Sequence, residues 1–212
     1  MNQARRNILN HIRKSYRRNE LEPEIVKSLE ARLAAAKVHE QPTIGNDLIS
    51  IFFKQLEKVA TTFESIPHAK EIPFAILAFL QKHHLPQELV IDSRLEGLPW
   101  PNKLRLACRA AHAKDVVSVS RAFAGIAETG SLVLLSSASP TTLNFLPDNH
   151  IVVLYKDDLV GYIEEVWTRL RAQAMPRTVN LITGPSRTAD IEQTIQLGAH
   201  GPRRLHLIFV DS

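Results

Sequence analysis

One carboxylate in this chain sits between glycines. In Gly125-Ile126-Ala127-Glu128-Thr129-Gly130-Ser131 the small residues let backbone approach a ligand, and Glu128 offers a nucleophile, a base or an acceptor for a hydroxyl. The same residues also suit a plain turn with a locally capping acid. A second stretch, Leu181-Ile182-Thr183-Gly184-Pro185-Ser186-Arg187-Thr188-Ala189-Asp190-Ile191-Glu192, reads as a buried strand end, a tight turn and the start of a helix. Ser186 and Thr188 are N-cap residue types. A helix beginning there points free amides and the positive end of its dipole at the turn, and Arg187 adds a full charge. That combination holds phosphate or carboxylate, although a well-capped strand-to-helix connection explains the residues equally. Asp190 suits the first helical turn, yet it would repel an anion. Pairing with Arg187, capping, and holding a ligand hydroxyl all stay open for it.

A third turn, Leu197-Gly198-Ala199-His200-Gly201-Pro202-Arg203, follows. Gly198 resembles a helix C-cap. His200 can act as acid, base or ligand, or simply make a structural hydrogen bond. The expected ligand-binding set is therefore Gly125, Thr129, Gly130, Ser131, Gly184, Pro185, Ser186, Arg187, Thr188, Asp190, His200 and Gly201, with Glu128 as candidate catalytic carboxylate. No metal site is expected, because His68, His83, His84, His112, His150 and His206 show no ligand spacing. Cys108 is the single cysteine, which excludes an intrachain disulfide and a cysteine-held cluster. Its neighbours Leu104, Leu106 and Ala110 predict a buried structural thiol.

If the three turns are to act together, a sheet must bring them to one place. Leu132-Val133-Leu134-Leu135 and Ile151-Val152-Val153-Leu154 are continuously apolar and predict strands buried on both faces. Further strands are predicted at residues 59–66, 89–91, 116–119, up to Thr183, and 204–210. Helices are predicted at residues 71–84, 157–172 and 187–197, and one capped by Asn46 carries Leu48, Ile49, Ile51, Phe52, Phe53 and Leu56. Strands alternating with helices mean an α/β fold: a mixed, mostly parallel central sheet with helices on both faces. In such sheets ligands bind beyond the carboxyl ends of the strands.

The 212 residues carry a formal charge of +4, and residues 1–18 alone hold Arg5, Arg6, Arg13, Lys14, Arg17 and Arg18 with no acid. Ile8, Leu9, Ile12 and Tyr16, then Ile25, Val26, Leu29 and Leu33, mark two helices with narrow apolar seams. Pro23 suits the first position of the second. Gln41-Pro42-Thr43-Ile44-Gly45 is the linker, so residues 1–42 are expected to form a basic helical arm and residues 43–212 the α/β domain. The arm suits a solvated helix face, or docking on an acidic partner, better than nucleic acid or acidic lipid, since no aromatic platform or nucleic-acid motif accompanies the charge. The basic N-terminus has no apolar signal core and no apolar run is long enough to cross a bilayer, so a cytoplasmic protein is expected.

The run Ser120-Arg121-Ala122-Phe123-Ala124-Gly125-Ile126-Ala127-Glu128-Thr129-Gly130-Ser131-Leu132-Val133 resembles the first signature of the LUD-domain family, of its lactate-utilisation type. Leu146-Pro147-Asp148-Asn149-His150-Ile151-Val152-Val153 resembles the second. The stretch 182–192 with Gly198-Ala199-His200-Gly201-Pro202 resembles the third. Ser131 and Ala199 depart mildly from that pattern, which often has threonine and valine there. The resemblance spans residues 61–210. It implies a fold akin to the sugar-phosphate isomerase and CoA-transferase group, and a non-redox role in oxidising L-lactate to pyruvate. It also implies partner proteins that carry the iron–sulfur clusters, with no cofactor in this chain. The alternative is a stand-alone acyl- or phosphate-activating enzyme using Glu128.

Overall fold

A computed structural model describes residues 3–16, 21–34, 40–188, 196–197 and 201–212. The chain forms two compact units, residues 1–42 and 43–212. The first holds α1 (Gln3–Ser15) and α2 (Pro23–Ala34), which begins on Pro23. Their apolar seams face solvent: Ile8 and Ile12 on α1, Ile25 and Leu29 on α2 are all exposed.

In the second unit the elements are α3 (Leu48–Lys58), β1 (Thr62–Ile66), α4 (Ile72–Lys82), β2 (Glu88–Ile91), β3 (Arg105–Ala107), β4 (Val117–Arg121), β5 (Ala124–Ile126), β6 (Ser131–Leu135), α5 (Thr142–Phe145), β7 (Asn149–Tyr155), β8 (Leu159–Val160), α6 (Ile163–Arg171), β9 (Val179–Ile182), β10 (Arg187–Thr188), β11 (Gln196–Leu197) and β12 (Arg204–Val210). Asp47, not Asn46, caps α3. Its carboxylate accepts from Ser50 N at 3.1 Å and from Ser50 Oγ at 2.6 Å, which satisfies an orphan amide of the first turn.

Six strands form an all-parallel sheet in the order β1-β12-β7-β4-β2-β3. Alternate side chains sort its two faces. Ile151 and Val153 of β7, with Ile208 and Val210 of β12, pack with Ile72, Ile76 and Leu80 of α4. Val152 and Leu154, with Leu205, Leu207 and Phe209, pack on the other side with Phe52 and Leu56 of α3. Each such buried side chain contributes roughly 1.5–3 kcal/mol.

The expected single sheet with helices on both faces is corrected here. A second, mixed sheet of four strands, β8-β5-β6-β9, lies on the α3 side. Leu132 and Leu134 of β6 pack with Phe52 and Leu56, while Val133 and Leu135 pack with Val166 and Leu170 of α6. β6 is thus buried on both faces as its composition requires, but between layers and with antiparallel neighbours. The helix expected at residues 157–172 starts only at Ile163, because Leu159 and Val160 pair with Gly125 and Ile126 as strand β8. The helix expected at residues 187–197 is not formed at its two ends: Arg187–Thr188 pairs antiparallel with Gln196–Leu197. Cys108 is exposed rather than buried. Partial loss of water around the thiol, then the nearby Glu96 carboxylate, hold its pKa above the usual thiol value, which keeps it protonated.

Candidate functional site

The second sheet brings two of the three turns together. Ile126 faces Ser131 across the β5–β6 hairpin, and Leu132 faces Ile182 across β6–β9. Ser131 Oγ then lies 2.8 Å from Thr129 Oγ1 and 2.6 Å from Thr183 Oγ1. This run of three hydroxyls joins the loop after β5 to the turn after β9. The third turn abuts the second: Ser186 N donates to Pro202 O at 2.9 Å, and a Cβ on Gly201 would stand 3.3 Å from Ser186 Cβ. Pro185 lies within the same turn, and Arg187 is exposed. Arg187 and Thr188 pair as a strand, so the expected helix does not begin at Arg187. Asp190 and His200 lie outside the described residues.

The glycines of these turns serve close packing. Gly130 has φ +69° and Gly184 φ +91°. A Cβ on Gly130 would come within 2.8 Å of Gln55 Cβ, and one on Gly184 within 2.7 Å of Val59 O. Both turns therefore press on the last turn of α3. Gly125 is enclosed too, with Leu154 Cδ2 at 2.5 Å from where its Cβ would be.

Glu128 is half-buried and bonded through backbone and side chain. Its carbonyl accepts from Gln55 Nε2 at 2.8 Å, its N–H donates to Gly161 O at 3.1 Å, and Oε1 accepts from Ile163 N at 3.1 Å. Glu165 Oε1 accepts from Gly161 N and Tyr162 N, both at 3.0 Å. Two carboxylates thus satisfy amides at the start of α6, where the helix dipole favours negative charge. Capping is the role this geometry supplies to Glu128.

The carboxyl ends of the parallel strands hold a group that spacing did not reveal. Asp92 follows β2 and is fully buried. Its Oδ1 accepts from Arg94 N and Nε, both at 3.0 Å, and its Oδ2 accepts from Arg94 Nη2 at 2.5 Å. Arg121 N, at the end of β4, donates to Oδ2 at 3.4 Å. Arg94 Nη2 also donates to Arg121 O at 2.6 Å. The Arg121 guanidinium lies 4.4 Å over the Tyr155 ring and 3.7 Å from Asp158 Oδ2. Arg121 stands inside the first signature and Asp92 ends a predicted strand. The strand-end rule applied to those two positions is the signal that could have found this cluster.

A further polar set is sealed inside the sheet. His150 Nε2 lies 3.0 Å from Ser120 Oγ, which donates to Asn144 Oδ1 at 3.4 Å. With that donor direction Nε2 carries the proton, and Nδ1 is left buried without a partner among the described residues. Burial lowers the His150 pKa to about 3. Unfolding restores an ordinary value of about 6.5. The native state is therefore penalised as pH falls below about 6.5, where the unfolded chain takes up a proton that the folded chain refuses. His150 should remove about 1.4 kcal/mol of stability per pH unit between roughly pH 6 and pH 4. Urea unfolding at stepped pH checks this, and His150→Gln should flatten the slope. Among the described residues no three His, Cys, Asp or Glu side chains stand close enough together to hold a metal. Among the described residues no helix is long and apolar enough to cross a membrane.

Residues 10–210 match the family model of the LUD domain. The chain is 35% identical over 147 residues to the uncharacterized protein YkgG of Escherichia coli, a match covering 59% of this chain and 64% of that protein. It is 31% identical over 144 residues to lactate utilization protein C of Halalkalibacterium halodurans, covering 65% of this chain and 57% of the other. An uncharacterized protein of Neisseria meningitidis is 29% identical over 152 residues, 70% of this chain and 65% of its own length. The chain thus spans less than two thirds of the length of these curated relatives. A crystal structure of a DUF162 family protein from Deinococcus radiodurans superposes with a TM-score of 0.60 at 22% identity, covering 80% of this chain and 99% of that one. At that identity the likeness speaks for the fold.

Proposed function

Because the chain belongs to the LUD-domain family, we propose that it is a non-redox component of an L-lactate utilisation system, working in the cytoplasm. In this reading it binds a small carboxylate or phosphate-bearing ligand and docks on iron–sulfur proteins that carry out the electron transfer. Relatives named lactate utilization protein C support the pathway. A single cysteine supports leaving the clusters to partners.

The observation that carries the ligand reading is the hydroxyl run Thr129–Ser131–Thr183. It draws two family signatures into one polar seat, with Ser186 and Gly201 adjoining and Arg187 on the same turn as Thr183 and Gly184. Hydroxyls and an exposed guanidinium are suitable donors for an oxyanion. The arm suits the docking role. Its exposed apolar seam of Ile8 and Ile12 is flanked by Arg5, Arg6, Arg13 and Lys14, which would favour an acidic partner surface.

Complementation tests this. A strain lacking the gene should fail to grow on L-lactate and recover with the wild-type chain. Glu128→Gln should restore growth as well, since an amide oxygen can still accept from Ile163 N. Normal growth of the deletion strain on L-lactate would remove the pathway role. Failure of Glu128→Gln with an unchanged fold would instead favour the stand-alone enzyme.

A further inference from the structure

The first sheet ends at β1, which pairs on one side only, with β12. In a parallel strand the N–H and C=O of one residue point to the same side, and successive residues alternate. Asp211 N donates to Ile66 O at 3.0 Å, so Thr62, Glu64 and Ile66 face β12. Phe63 and Ser65 therefore turn their backbone groups to the open edge. No strand covers that edge among the described residues. A row of unpaired backbone groups is a template for another strand. β1 is five residues long and has no proline or lysine to blunt it. At the other edge β3 has three residues and begins on an exposed arginine.

Apolar side chains flank the β1 edge on both faces. On the α3 side the Phe63 ring stacks on Phe53 at 4.5 Å, and both residues are half-buried. On the other side Ala78 and Lys82 of α4 line a cavity with Thr62, Phe63 and Glu64, so this side of the helix overlooks the edge. Glu71, which precedes α4, then Phe74, Ala78 and Lys82 follow helical spacing along one stripe. All four are exposed, Phe74 at 58%. The stripe is acidic at its start, apolar in the middle and basic at its end.

We propose that this edge is the contact surface for a second copy of the chain, with two β1 strands pairing antiparallel about a two-fold axis normal to the sheet. The edge matches itself. The outward groups of Phe63 and Ser65 lie symmetrically about Glu64, so each Phe63 can exchange its two backbone bonds with the partner's Ser65. The same axis sets the two α4 helices antiparallel on one face. Glu71 then approaches the partner's Lys82, and Phe74 approaches the partner's Ala78. Opposite charges at the two ends of an apolar stripe fix that register. The one misfit is Glu64, which faces its own counterpart across the axis, and like charges so placed weaken a pair. The inference does not depend on the pathway reading.

Sedimentation velocity of the full chain across the micromolar range tests it. The mass should rise with concentration to twice that of the chain. Ser65→Pro removes an outward N–H and no bond to β12, so it should weaken the dimer by about tenfold or more with an unchanged melting curve. Phe74→Glu, at an exposed position, should weaken it on a similar scale from the helix side. Glu64→Gln should tighten it. Lys82→Glu should weaken it, and adding Glu71→Lys should restore it, because the pair is then only reversed. The proposal is overturned if the chain keeps the mass of one copy throughout that range. It is equally overturned if Ser65→Pro and Phe74→Glu dimerise as well as the wild type, since the copies would then meet on another surface.

Discussion

Asp92→Ala should destabilise the folded chain by about 3 kcal/mol, within the range for breaking a buried ion pair by removing one partner. The carboxylate is fully buried and accepts four bonds from Arg94 and one from the backbone N–H of Arg121. Its loss leaves the guanidinium without its counter-charge and a backbone amide short of an acceptor. The Arg94 side chain is 32% exposed, so it can turn partly to water, which places the effect at the low end of that range. The midpoint of urea unfolding should fall without a change in slope. A loss under about 1 kcal/mol would mean that the pair contributes no more than a surface ion pair.

Gly184→Ala should cost a comparable amount, about 3 kcal/mol. Two independent penalties add. A side chain at φ +91° sits in backbone territory that costs on the order of 1–3 kcal/mol. The new Cβ would also stand 2.7 Å from Val59 O and 3.0 Å from Val59 Cβ, and overpacking of this kind costs typically 1–3 kcal/mol. Because the obstacle is backbone, no rotamer change relieves it. Gly97→Ala is the control, since a Cβ there meets nothing within 4 Å, and it should stay within about 0.5 kcal/mol of wild type. Thermal unfolding of both variants distinguishes a steric role for Gly184 from a general sensitivity of glycine positions.

The sequence carries the fold wherever period and composition leave one solution. Ile72, Ile76, Phe79 and Leu80 recur at helical spacing and form α4. The apolar runs at residues 132–135 and 151–154 form buried strands. It does not say which neighbours bury them: a strand hidden on both faces reads the same inside a parallel sheet and between two layers, so β6 was legible as a strand and not as a member of a second sheet. Leu159 and Val160 fit a helical stripe as well as a two-residue strand, and only Gly161 marks the break. Ser186, Thr188 and Asp190 fit an N-terminal cap, yet hydroxyl residues pair in strands equally well, and Arg187–Thr188 does. Asn46 and Asp47 are both good caps, and the choice between them depends on which side chain reaches Ser50.

The candidate site divides in the same way. Of the residues expected to share a site, Ser131 meets Thr183, the neighbour of Gly184, across β6 and β9. The arginine cluster had no signal in spacing. Arg94 and Arg121 are far apart in sequence, and only the pairing of β2 with β4 makes them neighbours.

The order β1-β12-β7 has a consequence for assembly. β12 lies between β1 and β7, pairing with both along its length, but both precede it in the chain. While the polypeptide is being made, β1 and α3 emerge early with no sheet edge to join, and β7 offers a bare apolar edge until residues 204–210 arrive. Closing that gap joins segments more than a hundred residues apart, a slow step for a chain that must first meet the loop-closure entropy. An unfilled slot second from the edge of a parallel sheet is also a template for strands of other chains. β12, which follows the other five strands of the first sheet in the chain, is thus its keystone, and the window before it seats is when a nascent chain of this topology is most exposed to misassembly.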